Sequence, residues 1–173
     1  MGTVTLITGG ARSGKSAHAL ALAQHAPGAR RFFIATAEAL DDEMRARIAH
    51  HRASRSADFA TIEEPIAVAD ALSKLARRAD IVVVDCLTLW ISNLLMANRS
   101  DEEILDEVRG LAATMAGAPF ATIVVTDEVG AGIVPEKAMA RRFRDLLGWT
   151  NQALAQTAEG VVLMVAGYPM RVK

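Results

Sequence analysis

The segment Gly9 to Ser16, GGARSGKS, constrains this chain more than any other, because it fits the phosphate-loop pattern G-x-x-x-x-G-K-[ST]. A β-branched run, Val4 to Ile7, leads into it, and an alanine-rich segment of helical character, SAHALALAQHA, follows. Glycines let successive backbone N–H groups curl around phosphate oxygens, and the helix behind them aims its positive dipole end at the same anion. In that arrangement Lys15 reaches the β and γ phosphates, and Ser16 offers its hydroxyl to a magnesium ion that bridges them. Gly9, Gly10, Ala11, Arg12, Ser13, Gly14, Lys15 and Ser16 are therefore candidate contacts to a purine nucleoside triphosphate. Arg12 has two readings: it contacts phosphate, or it points to solvent.

The rest of the chain supplies a frame for such a loop. Short apolar runs recur at Val4 to Ile7, Phe32 to Thr36, Ile81 to Asp85, Thr122 to Thr126 and Val161 to Ala166, with Phe59 to Ile62 as a weaker candidate. Runs apolar on both faces are what strands buried in a parallel sheet look like. Between them lie segments with helical apolar spacing, at Met44 and Ile48, at Leu89 and Leu94, and at Phe143, Leu146 and Leu147. Alternation of this kind predicts an α/β sandwich with a mostly parallel sheet, whose ligands gather beyond the carboxyl ends of the strands. Pro65, Gly117 to Pro119, Gly130 to Pro135 and Gly148 are expected to mark loops or helix boundaries.

Residues 1–173 are read as one domain, since 173 residues with 51% hydrophobic content can bury a sizeable core. Acids and bases are interspersed and the net charge is −1, so nothing suggests a nucleic-acid partner. The longest apolar run, VVLMVAG, falls far short of the roughly 20 residues needed to span a bilayer, and no export signal is evident, so a soluble, cytoplasmic protein is expected. Cys86 stands alone, which excludes an internal disulfide and agrees with a reducing compartment; a small buried hydrophobe is its expected role. Trp90, Phe143 and Trp149 are read as core or subunit contacts.

Acids at strand ends are the next candidates. A phosphate loop needs a second handle on its metal, and IVVVDC puts Asp85 at the end of an apolar strand, unless it caps the following helix instead. The run TDEVGAGIVPE puts Asp127 and Glu128 at the same sheet edge, where one of them, Glu128 by preference, serves catalysis, or where either caps a helix or pairs with nearby Lys and Arg. Adjacent His50 and His51 point about 100° apart on a helix and make a poor chelating pair. A solvent-facing or packed histidine is the default reading, although a neutral imidazole is also a competent nucleophile near pH 7.

Taken in order, ITGGARSGKS, the IAT of Ile34 to Thr36, LDDEMRARIAHHR, VDCLTLWISNLL and TDEVGAGIVPE resemble the bifunctional adenosylcobinamide kinase/adenosylcobinamide-phosphate guanylyltransferase family of cobalamin biosynthesis. The resemblance spans nearly the whole chain. Many families share the phosphate loop, whereas the DDEM…HH segment and EVG-x-GIVPE are far more specific.

The resemblance implies a P-loop NTPase, RecA-like three-layer sandwich with one antiparallel strand, assembled as a homotrimer. It implies phosphorylation of adenosylcobinamide with ATP or GTP, then conversion of adenosylcobinamide phosphate to adenosylcobinamide-GDP with GTP and Mg2+. The second step in this family passes through a covalent GMP-histidine, a role that transfers to His50. The nucleotide site transfers to Gly9 to Ser16, to Ala35, Thr36 and Ala37, to His51, Arg52, Ala53 and Ser54, and to Glu63 and Asp85. Ser16 and Asp85 are the implied metal-side residues. Other members carry Glu where Asp85 stands, which keeps the carboxylate and shortens its reach by one methylene. The competing readings are a small-molecule kinase without guanylyl transfer and a nucleotide-dependent switch or assembly ATPase.

Overall fold

In the computed structural model, residues 2–39, 42, 45, 46, 49 and 57–173 are described. The strands are β1 (Val4–Gly9), β2 (Arg31–Ala35), β3 (Phe59–Glu63), β4 (Ile81–Asp85), β5 (Ala121–Val125), β6 (Gly160–Val165) and β7 (Tyr168–Arg171). They form one seven-stranded sheet in the order β3-β2-β4-β5-β1-β6-β7. Every pairing is parallel except that of β6 with β7. Outside residues 40–56, the helices are α1 (Lys15–His25), α2 (Val68–Ser73), α3 (Leu87–Met96), α4 (Asp101–Gly117) and α5 (Ala138–Thr157).

Strand pleating divides the apolar residues between two cores, since successive side chains point to opposite faces. Leu6, Ile34, Val82, Val84 and Val124 face a large core with residues of α2 to α5, among them Leu72, Trp90, Ile104, Leu111, Leu147 and Leu154. Ile7, Phe33, Ile81, Val83, Ile123 and Val125 face the other core, where α1 contributes Ala19 and Ala23. This is the expected three-layer α/β sandwich. The two alanines are fully buried, and their small side chains let α1 lie close over β1, β4 and β5.

Leu89 and Leu94 fall in α3, and Phe143, Leu146 and Leu147 in α5, as their helical spacing predicts, whereas Met44 and Ile48 lie outside the described residues. Ser100 and Glu103 form a reciprocal capping box that starts α4, and Ile104, Val108, Leu111 and Met115 then turn one apolar stripe into the large core. Gly148 departs from expectation: it lies inside α5 rather than at a boundary. The stripe Leu146, Leu147, Thr150, Asn151 and Leu154 is buried on both sides of it, and that packing outweighs the roughly 1 kcal/mol helix penalty of one glycine. The one antiparallel strand that the resemblance implies is the edge strand β7, which no apolar run marks in the sequence. Its residues are all exposed and include Pro169, which an edge tolerates because one side of the ladder is open.

Before β2, Asp80 holds the chain entry. Its Oδ2 accepts the backbone N–H groups of Ala29 and Arg30 at 3.1 and 3.0 Å, while Oδ1 accepts the Arg30 guanidinium at 2.5 Å. The Arg30 side chain is the first cause that holds the Asp80 carboxyl down at about 2. Gly28 precedes this clamp with φ 106°, and a Cβ there would fall 2.4 Å from the Asp80 Cβ.

Candidate active site at the carboxyl edge of the sheet

The strand register aligns the ends of the strands. Glu63, Ala35, Asp85, Val125 and Ile7 are consecutive partners across β3, β2, β4, β5 and β1. The candidate acids Glu63 and Asp85 therefore stand on the same edge from which the phosphate loop departs. Asp85 is two strands from β1, about 10 Å in the plane of the sheet, whereas Asp127 and Glu128 leave β5 directly beside it.

The loop is shaped by glycines at two points. At Gly9, φ is 148°, and a Cβ would lie 2.6 Å from the Met164 carbonyl oxygen and 2.8 Å from the Ser13 Oγ. At Gly14, φ is 98°, the left-handed turn that lets the chain enter α1. Arg12 also lies in the left-handed region, at φ 57°, and is exposed. The Gly167 N–H donates to the Ser13 carbonyl at 3.0 Å, so the β6–β7 turn braces the loop from outside.

Inside the loop, Lys15 is buried, yet its ammonium is doubly engaged. Nζ lies 2.5 Å from Asp127 Oδ1 and donates to the Gly10 carbonyl at 2.7 Å. The Ser13 hydroxyl is buried without a hydrogen-bond partner among the described residues. One loop thus carries a cation held by a displaceable carboxylate and a buried hydroxyl without a partner among the described residues, groups that an arriving anion can engage.

The two consecutive acids are held differently. Asp127 donates its backbone N–H to Thr88 Oγ1 at 3.0 Å and turns its carboxylate to Lys15. Glu128 donates its N–H to the Gly9 carbonyl at 3.1 Å, and its Oε1 accepts Thr8 Oγ1 at 2.9 Å and Asn151 Nδ2 at 3.3 Å. Asn151 is fixed in turn, its Oδ1 accepting the Thr126 hydroxyl at 2.7 Å. Pairing with a cation, one of the two readings of these acids, is thus realised for Asp127.

At the end of β2, Thr36 is a brace. Its hydroxyl donates to the Cys86 carbonyl at 2.7 Å and accepts the Cys86 N–H at 2.8 Å, while its own carbonyl accepts Asn93 Nδ2 at 2.7 Å. The Ala35 carbonyl is taken by the Glu64 N–H at 2.9 Å. These bonds tie the ends of β2 and β4 together, so Thr36 acts on the site by position. Burial is the leading cause that pushes the Cys86 thiol up to about 12, in keeping with an inert small side chain that packs against the second core. The N-cap position of α3 is held by Cys86, without a side-chain cap.

For a magnesium ion, the hydroxyl of Ser16 and the carboxylate of Asp85 are hard oxygen donors. Two such donors suit an ion that keeps waters and takes its remaining ligands from phosphate. Among the described residues, no group of three or more His, Cys, Asp and Glu forms a self-sufficient metal cage. His50, His51, Arg52, Ala53 and Ser54 lie outside the described residues.

Thr8, Thr88 and Asn151 escaped the sequence reading. The available signal was faint: Thr150 and Asn151 are polar residues at buried positions of an otherwise apolar helix stripe. Of the aromatic candidates, Trp90 is buried with its indole N–H on the Ile66 carbonyl at 2.7 Å, and Phe143 packs against the core. Trp149 keeps about half its surface exposed.

Comparison with known proteins places these residues in context. The model of the family described as cobinamide kinase / cobinamide phosphate guanyltransferase matches residues 5–172. The chain is 46% identical over 169 residues to the bifunctional adenosylcobalamin biosynthesis protein CobP of Pseudomonas aeruginosa, covering 97% of this chain and 96% of that one. It is 41% identical to the bifunctional adenosylcobalamin biosynthesis protein CobU of Salmonella typhimurium and 38% identical to that of Escherichia coli, covering 97% of this chain and 98% of each relative.

Proposed function

This chain belongs to the cobinamide kinase / cobinamide phosphate guanyltransferase family, and from that premise we propose that it is an enzyme with two successive activities on one corrinoid. It phosphorylates the hydroxyl of adenosylcobinamide with ATP or GTP. It then transfers GMP from GTP to adenosylcobinamide phosphate, giving adenosylcobinamide-GDP in cobalamin biosynthesis. The observation that carries this reading is the buried Lys15 ammonium of the phosphate loop, held by Asp127, in a loop whose buried Ser13 hydroxyl has no partner among the described residues.

In both steps the loop amides and Lys15 hold the phosphate chain and stabilise the charge that develops on the departing phosphate. Phosphorylation moves the γ phosphate and relies on position and charge. In guanylyl transfer, neutral His50 attacks the α phosphorus and pyrophosphate leaves. The phosphate of the acceptor then attacks the GMP-histidine, which frees His50. Ala35, Ala37, His51, Arg52, Ala53, Ser54 and Glu63 complete the proposed guanine nucleotide site, as the family resemblance implies, with Thr36 bracing it. Magnesium, held by Ser16 and Asp85, would neutralise phosphate charge. We extend the proposal to a homotrimer working in the cytoplasm; no described helix is long and apolar enough to cross a membrane.

The test is incubation with magnesium and GTP labelled at the α phosphate, followed by denaturation and mass mapping. An acid-labile GMP adduct on His50 is expected. Folded, GTP-binding protein that forms no adduct would leave a kinase alone and refute guanylyl transfer.

A further inference from the structure

We propose that Glu128 is the general base of the phosphorylation step, taking the proton of the acceptor hydroxyl; the assignment rests on the two-step reading above. The geometry separates Glu128 from its neighbour. Asp127 has one carboxylate oxygen 2.5 Å from the Lys15 ammonium, so it is committed as a counter-ion. Glu128 is exposed, and among the described residues its carboxylate is held by neutral donors alone, the Thr8 hydroxyl at 2.9 Å and the Asn151 amide at 3.3 Å.

Both donors converge on Oε1, and no described residue bonds to Oε2. A base needs this combination of orientation without neutralisation: one oxygen fixes the carboxylate, and the lone pairs of the other stay open to a substrate proton. Its place is equally specific. The Glu128 N–H is bonded to the Gly9 carbonyl at 3.1 Å, and Thr8 is the residue before Gly9. The carboxylate is thereby anchored where the phosphate loop begins, one residue from the group that touches Lys15. A hydroxyl approaching a γ phosphate held at Lys15 arrives beside it.

In the step itself, the acceptor oxygen forms a bond to the γ phosphorus while the bond from that phosphorus to the β–γ bridging oxygen breaks. The electron pair leaves on the nucleoside diphosphate. The hydroxyl proton passes to Oε2 of Glu128 and then to water. Guanylyl transfer makes no such demand, because its acceptor is a phosphate monoester, already largely dianionic at neutral pH with a second pKa of about 6. One residue therefore distinguishes the two half-reactions.

The experiment measures both half-reactions separately in the full-length protein carrying Glu128→Gln, with nucleotide affinity and melting temperature alongside. Phosphorylation of adenosylcobinamide should fall by about 10²–10⁴-fold in kcat, and the acid limb of its pH profile should flatten. Guanylylation of supplied adenosylcobinamide phosphate and GTP affinity should stay close to wild type. Thr8→Val, which keeps the carboxylate and removes one orienting donor, should lower phosphorylation less and retain the acid limb. Parallel loss of both half-reactions would assign Glu128 a structural role, and phosphorylation near the wild-type rate in Glu128→Gln would eliminate it as the base. Wild-type protein that forms the GMP adduct yet never phosphorylates the alcohol would instead strike down the two-step reading, and the base assignment with it.

Discussion

Asp127 Oδ1 and Lys15 Nζ are 2.5 Å apart, joining the acid beyond β5 to the phosphate-loop lysine, with only 9% of the lysine side chain exposed. The incoming triphosphate has to take that ammonium from the carboxylate. The carboxylate thus stabilises the nucleotide-free protein and competes with the ligand for the same charge.

Asp127→Asn removes the competitor and leaves the Gly10 carbonyl as the fixed partner of Lys15. GTP affinity should rise by about tenfold, equivalent to ~1.4 kcal/mol. The nucleotide-free protein should lose about 1–3 kcal/mol, with the melting temperature falling roughly 2–4 °C per kcal/mol. Calorimetric titration with GTP and thermal melts check both, and weaker GTP binding would mean that Asp127 assists the nucleotide.

Lys15→Ala takes away the charge that both half-reactions share. Each should lose about 10²–10³ in kcat, as removal of one preorganised stabilising group does in other enzymes. Rates are measured separately for phosphorylation and guanylylation. Normal turnover in either would place that chemistry away from this loop.

His50→Ala should spare phosphorylation and end guanylyl transfer, because only the second step needs a covalent carrier. His51→Ala should still form the GMP adduct. Adduct formation surviving in the first variant and vanishing in the second would exchange the roles of the two histidines.

Asp80 offers a pH-dependent test of the fold. Its folded carboxyl lies at about 2, below the ordinary 3.8, so its contribution to stability is fully present above the unfolded value and is lost as pH falls through the folded one. The difference in urea midpoint between wild type and Asp80→Asn should be constant near neutral pH and collapse between about pH 4 and pH 2. A difference that does not change across that window would show that the clamp owes nothing to the ionised carboxylate.

Much of the sheet was legible because buried parallel strands are written as short, continuous β-branched runs: IVVVD is β4 to the residue. The weaker signal of β3 has a physical origin, since it lies at the sheet edge and exposes Ala60, Thr61 and Glu63. β7 carries even less pattern, because a strand with every residue exposed and a proline within it is defined by its ladder to β6 rather than by periodicity. Gly148 was misread for the converse reason: local propensity favoured a break, and apolar packing of α5 on both sides overrode it.

Local covalent chemistry explains which parts of the site the sequence determined by itself. Phosphate-loop spacing, left-handed glycines and acids at the ends of apolar runs are properties of a few adjacent residues, so Gly9 to Ser16, Asp85 and the Asp127–Glu128 pair could be singled out before any contact was known. Tertiary structure alone decided the partners. Thr8 meets Glu128 across 120 residues because β1 lies beside β5, Thr36 holds Cys86 because β2 lies beside β4, and Asn151 reaches both carboxylate-bearing residues from a helix packed over the sheet. Strand order and helix packing arise from the burial of many side chains at once, and no short window of sequence encodes which polar groups that burial brings within hydrogen-bonding distance.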